Sequence, residues 1–244
     1  MLLKIISFAN IKGGVGKTSC AIFLSQALAK RGAKVLVVDM DGPNNNLTDY
    51  FLRTQTAQEI ESKNVSHAIL NLLSTDQVIF QTDFAVDVIP ASLKGTLRVK
   101  AEADPGALMR FRGILKRLVD YNFILLDTPP ALVPEFYAGL YAADHVVVPV
   151  VLHRFMISGF VVTRDEVLKA EQTTGIPVKL SVLPSCVSQT QAEEVFETKQ
   201  WASLKTAILR NSAIRSAENV GKPLKEGSQS FEQYQLLAQE LEVM

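Results

Sequence analysis

The stretch KIISFANIKGGVGKTSCAIFLSQALAK, Lys4–Lys30, decides how the rest of the chain is read. KIISFA (Lys4–Ala9) is a short apolar run of the kind that forms a strand buried on both faces. Glycines follow at 13, 14 and 16, and from Lys17 to Arg31 the apolar residues fall at helical spacing, with Gly32 placed to end the helix. A strand, a glycine-rich turn and a helix in that order set backbone N–H groups at the positive end of a helix dipole, a cradle for an anion. Gly13, Gly14 and Gly16 let the backbone approach a phosphate, Lys17 can neutralise its outer oxygens, and the Thr18 hydroxyl can ligate magnesium. Val15 and Ser19 complete the loop. Two features depart from the usual pattern: Ile11 stands where a glycine is expected five positions before Gly16, and a second lysine, Lys12, precedes the glycines.

Outward from this stretch the same alternation repeats. KVLVVD (Lys34–Asp39), FILLD (Phe123–Asp127), HVVVPV (His145–Val150) and VKLSVL (Val178–Leu183) read as further buried parallel strands. Ala107–Val119, Ile157–Glu171 and Ala192–Ala202 have helical apolar spacing, Gly175 sits at a helix end, and SFEQYQLLAQELEVM reads as a last amphipathic helix docked on the core. Ser74–Gly106 carries no clear period. The pattern predicts an α/β fold with a doubly wound, mostly parallel sheet and helices on both faces. No linker or repeat divides the chain, so 1–244 is expected to be a single domain.

Composition narrows the function. Nearly half of the 244 residues are apolar, and 25 basic residues balance 25 acidic ones, so the protein is not generally basic and contact with nucleic acid needs a local patch. Neither Cys20 nor Cys186 belongs to a C-x-x-C pair, and His67, His145 and His153 lack metal-ligand spacing. No leader-like segment opens the chain, and no apolar run reaches the ~20 residues of a membrane span, so a cytoplasmic protein without a membrane partner is expected.

Two strand ends carry carboxylates. VVDMDGPNNNLT places Asp39 and Asp41 at the carboxyl end of the second strand, where open α/β sheets bind ligands. Asp39 reads equally as a strand-end cap. YNFILLDTPPAL ends a strand in Asp127, suited to organising magnesium beside the phosphate loop. An aspartate of ordinary pKa, ~3.9, is a weak base, so it orients water better than it deprotonates it, and slow hydrolysis is expected. Asp144, at the entry to the strand His145–Val150, reads as a structural cap.

KGGVGKTS resembles the deviant Walker A box of the ParA and MinD superfamily. VVDMDGPNNNLT resembles that family's first switch, usually Asp-x-Asp-Pro-Gln, with Gly42 and Pro43 standing where Pro-Gln is usual. DTPP followed by AGLYAADHVVVPV resembles its Walker B strand, second switch and next core strand. LPSCVSQTQAEEV and ILRNSAIRSAENVGKPL resemble the remaining core strands and the loops around the adenine and the DNA contacts, although Gln189 stands where arginine is frequent. The resemblance begins at the first strand, so a member without the N-terminal helix-turn-helix extension of the longer ones is expected.

The resemblance implies a small P-loop ATPase similar to Soj, with ATP or ADP and Mg2+ as its ligands. Residues 12–19 and Asp127 would hold the nucleotide with Pro184 and Asn211; Thr18, Asp41 and Asp127 would serve the metal. Lys12, Lys17 and Asp41 would be catalytic, Asp41 by positioning the attacking water. Lys12 would reach the phosphates held by the other subunit of a homodimer in the ATP state. Two copies would then double the contacts to non-specific DNA, made here through Lys205, Arg210, Arg215 and Lys222 within a region that also holds Lys199 and Lys225. A ParB-like centromere-binding protein or cargo adaptor would stimulate hydrolysis, giving a nucleoid-associated cycle that segregates plasmid or chromosomal DNA. The alternatives within the family are positioning of a protein cargo, such as a chemoreceptor cluster or microcompartment, and MinD-like regulation of the division site. The acidic ending LAQELEVM argues against a MinD-type membrane helix.

Overall fold

The computed structural model describes residues 2–42, 44, 46–94, 97, 104, 106–151, 154–197 and 201–244, with the backbone alone for 154–157. Pro43, His153, Lys199 and part of the Ser74–Gly106 stretch lie outside the described residues. The strands are β1 (Lys4–Phe8), β2 (Val35–Asp39), β3 (Asp87–Ile89), β4 (Phe123–Asp127), β5 (His145–Val150), β6 (Lys179–Val187) and β7 (Ile208–Leu209). They form one seven-stranded sheet in the order β3-β2-β4-β1-β5-β6-β7, every neighbouring pair parallel. The fold is the expected doubly wound α/β sheet.

Both faces of the strands are apolar because both are covered. Ile6, Val37 and Leu125 face one cluster with Phe23 and Leu24 of α1 (Lys17–Lys30), whereas Ile5, Leu36, Val38 and Ile124 face another with Phe111 of α6 (Gly106–Lys116). This alternation within continuous apolar runs is what a sheet buried on both sides requires. Between β2 and β3 the described residues form the short helices α2 (Asn46–Phe51), α3 (Ala57–Ser62), α4 (Val65–Ile69) and α5 (Thr75–Val78). Beyond β4 follow α7 (Pro134–Ala142), α8 (Arg154–Thr174), α9 (Gln189–Glu197), α10 (Ser212–Val220) and α11 (Gln229–Val243).

α11 docks on α1 as the sequence suggests. Tyr234, Leu237, Ala238 and Leu241 are buried there, and Lys4 Nζ donates to the carbonyls of Leu241 and Glu242 at 3.1 and 2.8 Å. Each buried leucine contributes about 2 kcal/mol, against at most ~1 kcal/mol for the half-exposed Arg31–Glu242 pair, so apolar burial holds the helix down. Among the described residues no helix is long and apolar enough to cross a membrane.

One expectation changes, and two edge strands are added. The helix read over Ala192–Ala202 is α9, which ends at Glu197 among the described residues, and Ser203 bridges to Val182 at the sheet instead. Trp201, which the helical reading included, instead packs against Phe160 of α8 with ring centroids 5.0 Å apart, and Leu204 N–H donates to Val182 O at 2.9 Å. β3 and β7, too short to leave a period, add an edge strand on each side. Asp144 is the cap it was read to be: it accepts from Ile5 N–H at 2.8 Å and from Arg112 and Lys116 at 2.7 Å each.

Candidate nucleotide-binding site

The carboxyl ends of β1, β2 and β4 meet at one place because β4 lies between the other two, pairing Phe8 with Asp127 and Asp39 with Asp127. The loop leaving β1 is pinned by Val15, which is fully buried. Gly16 caps α1 with φ 91°, and a Cβ built on it would lie 2.6 Å from Ser185 Oγ on β6. Only glycine meets both conditions. Helix α1 has no side-chain cap and no acid in its first turn, so its leading N–H groups remain for an anion. Nothing lies within 4 Å of a Cβ built on Gly13 or Gly14, which leaves open space above the loop.

Lys17 is buried and its Nζ donates to the carbonyl of Lys12 at 3.1 Å. Burial lowers its pKa, while the charges of Asp127 and Asp41 act in the opposite direction. A cation held away from water among carboxylates gains strongly from an added phosphate.

Asp127 is buried, its Oδ1 has no hydrogen-bond partner, and Thr18 bonds its carboxyl. Burial, followed by the charge of Asp39, raises its pKa. Asp39 is instead fully bonded, accepting from Thr48 N–H at 2.9 Å, Thr48 Oγ1 at 2.7 Å and Asp41 N–H at 3.0 Å. It is the strand-end cap of the two readings left open for it, and it shapes the loop that carries Asp41. Asp41 is half-buried, accepts from Asn44 Nδ2 at 2.8 Å, and acts electrostatically on Lys17 and Asp127. The carbonyl of Ser92 occupies the place a Cβ of residue 42 would take, so Gly42 is a steric requirement of this loop.

The Thr18 hydroxyl and the Asp127 and Asp41 carboxylates are hard oxygen donors of the kind magnesium prefers, and the orphaned Asp127 oxygen fits that use. Among the described residues no group of three or more His, Cys, Asp or Glu could hold a metal alone. Phosphate oxygens would have to complete the shell.

The remaining residues divide. Lys12 is half-buried, its N–H donating to Asn10 Oδ1 at 2.9 Å. The Ser19 hydroxyl is turned to Glu218 of α10, which leaves its backbone N–H for an anion. Pro184 is buried in β6 in register with Val150, and Asn211 caps α10 by accepting from Ala213 N–H at 2.9 Å. Both lie at the same end of the sheet, since Arg210 N–H donates to Val187 O where β6 ends. Lys205, Arg210, Arg215 and Lys222 are all exposed, but Glu240 bonds the amide of Lys205 and Glu218 feels the charge of Arg215. The strip is therefore mixed in charge.

Sequence reasoning missed Glu135, in the first turn of α7, whose pKa is raised by burial and then by Asp41. Its only signal was an acid eight residues after Asp127, at a helix start. Asn10, Gly159 and Glu218 were missed too, because each acts through a residue distant in the chain or through sterics.

The family model described as AAA domain matches residues 3–182. The sporulation initiation inhibitor protein Soj of Bacillus subtilis is 29% identical over 238 residues, covering 91% of this chain and 90% of that protein. The chromosome-partitioning ATPase Soj of Treponema pallidum is 32% identical over 183 residues, covering 73% and 68%. Among solved structures, the ATP complex of a Cyanothece McdA variant superposes with a TM-score of 0.83 at 21% identity, covering 99% of this chain and 97% of that one. Cobyrinic acid a,c-diamide synthase from Mycobacterium smegmatis, bound to an ATP analogue and magnesium, superposes with a TM-score of 0.80 at 24% identity, covering 98% and 94%. The chain belongs to the ParA/Soj family of partition ATPases, within the wider MinD/ParA group.

Proposed function

We propose that this chain is a single-domain ATPase whose ATP-bound homodimer binds DNA non-specifically, and whose hydrolysis releases it, so that plasmid or chromosomal DNA is moved or spaced. The observation that carries this reading is the buried Lys17, set in the field of Asp127 and Asp41 and bonded to the carbonyl of the second lysine, Lys12. The nucleotide-bound relatives in fold support ATP with Mg2+ as the ligand.

In this account the N–H groups of Gly13–Ser19 and the Lys17 ammonium hold the phosphates, and Thr18 and Asp127 hold the metal. Magnesium supplies charge that offsets the negative charge developing on the phosphoryl oxygens. Asp41 orients the attacking water and accepts its proton late. Lys12 reaches the nucleotide of a second copy, an added cation at the transferring phosphoryl group, so chemistry waits for dimerisation. The dimer presents two copies of Arg210, Arg215 and Lys222, and phosphate contacts enter affinity exponentially through counterion release. A ParB-like centromere-binding protein or cargo adaptor stimulates hydrolysis, and the protein is nucleoid-associated in the ATP state.

Retention of duplex DNA with ATP, with ADP and without nucleotide, at two salt concentrations, tests the switch. Retention in ATP alone, weakening steeply with salt, is expected; equal retention in all three states contradicts the cycle.

A further inference from the structure

Alanine is the better helix former, so a glycine in the interior of a long helix destabilises that helix. Gly159 nevertheless lies within α8, on its buried side. A Cβ built on it would lie 2.5 Å from Cγ of Lys12, 3.5 Å from its Cβ, and 2.7 Å from Oδ1 of Asn10. The stem of Lys12 therefore runs through the space that a side chain at 159 would fill.

The surroundings of that space are fixed. Asn10 is fully buried, donates through Nδ2 to Pro149 O at 2.9 Å, and accepts from Lys12 N–H through the same Oδ1 that faces Gly159. One turn further along α8, the buried Thr163 hydroxyl accepts from Ile11 N–H at 3.3 Å and donates to Gly159 O at 2.8 Å. α8 and the end of β5 thus hold residues 10–12 from both sides, and Lys17 bonds the carbonyl of Lys12 from below. The backbone of Lys12 is anchored and only its side chain remains to be directed.

We propose that Gly159 is a positioning residue for Lys12: its missing side chain leaves the channel along which the Lys12 stem extends toward a second copy of the chain. This rests on the role given to Lys12 under the proposed function. A Cβ at 159 redirects the ammonium, and the nearest atoms it meets belong to Lys12 and Asn10, not to Gly13–Ser19, which hold phosphate in the same copy.

The test uses the full chain and four proteins: wild type, Gly159→Ala, Lys12→Ala and the double variant. Sedimentation with AMPPNP reads dimerisation, calorimetry reads ADP affinity, and thermal melting reports folding. Gly159→Ala should weaken AMPPNP-dependent dimerisation about tenfold or more, as loss of a buried interfacial charge contact does, with ADP affinity within about twofold of wild type. In the Lys12→Ala background it should add no further loss, because the two changes remove one interaction. Wild-type dimerisation by Gly159→Ala beside an impaired Lys12→Ala overturns this inference alone. Losses that multiply in the double variant assign Gly159 to general packing and also overturn it. Wild-type dimerisation by Lys12→Ala overturns the reading of Lys12 and this inference with it. Should Gly159→Ala fail to fold, Thr163→Val, which removes the anchor on Ile11 at constant shape, is expected to weaken dimerisation without adding to Lys12→Ala; additivity there counts against the inference in the same way.

Discussion

The hydroxyl of Ser19, in the first turn of α1, donates a hydrogen bond to the carboxylate of Glu218 on α10, 199 positions along the chain. The same end of α10 gives its carbonyls at Glu218 and Asn219 to Arg53 Nη2, at 3.0 Å each. The segment carrying Arg210 and Arg215 is thereby tied to the helix that follows the phosphate loop. Burial raises the Glu218 pKa, so its carboxyl depends on this bond. Glu218→Ala should cost about 1–2 kcal/mol of stability, and adding Arg53→Ala should cost less than the sum of the two, because both act on one helix end. Urea midpoints of the three variants check this.

Burial, followed by the charge of Asp39, raises the Asp127 carboxyl to about 8 in the fold, whereas the unfolded chain ionises it near its ordinary value. A carboxyl with a raised folded pKa contributes stability that is fully present below the unfolded pKa and lost as pH rises through the folded one. Asp127→Asn removes that slope. The variant should gain on wild type from pH 5 to pH 8, reaching about 1–3 kcal/mol, while losing magnesium-dependent ATP binding. A gap that does not widen with pH would contradict the burial argument.

His145 titrates in the opposite sense. Its Nε2 lies 2.9 Å from Ser181 Oγ inside the sheet, and burial, with smaller effects of Lys179 and Lys4, pushes the ring down to about 4. The neutral ring belongs to the fold, so its contribution is complete above the unfolded value near 6.5 and is lost as pH falls toward 4. Between pH 7 and pH 4 wild type should lose about 2–3 kcal/mol relative to His145→Gln. Parallel pH–stability curves would refute the assignment.

Asp41 is the half-buried carboxylate closest in role to the chemistry, and its neighbour Asp39 is fully engaged in capping. Asp41→Ala should therefore lower turnover about 100-fold or more and still bind ATP. Because the ATP state persists in it, duplex DNA should stay bound with ATP instead of being released. Calorimetry, phosphate release and DNA retention separate these outcomes.

The fold was legible where one residue type carries one physical demand. β2, β4 and β5 each show a continuous apolar run, and β1 one broken only by the buried Ser7, since both faces of a central strand are covered, and β2 and β4 end on Asp39 and Asp127. The glycine loop was legible because strand, glycines, lysine and threonine are adjacent in sequence. β3 and β7 were not, being three and two residues long at the sheet edges. Within Ser74–Gly106 the order is set by side-chain caps, such as Gln77 bonding Ser74, and by long-range pairing of Asp87–Ile89 with β2, neither of which has a period. Ser19 with Glu218 and Lys12 with Gly159 stayed hidden for a related reason: each pair is made by packing two distant elements, and neither residue alone signals its partner.

The central claim is that each chain lends Lys12 to the nucleotide of another, and sedimentation of wild type and Lys12→Ala with AMPPNP and with ADP tests it most directly. The account predicts wild-type dimers with AMPPNP, monomers with ADP, and a Lys12→Ala that has bound AMPPNP yet dimerises at least about tenfold more weakly than wild type. Dimers of Lys12→Ala indistinguishable from wild type, or wild-type monomers saturated with AMPPNP, would contradict it.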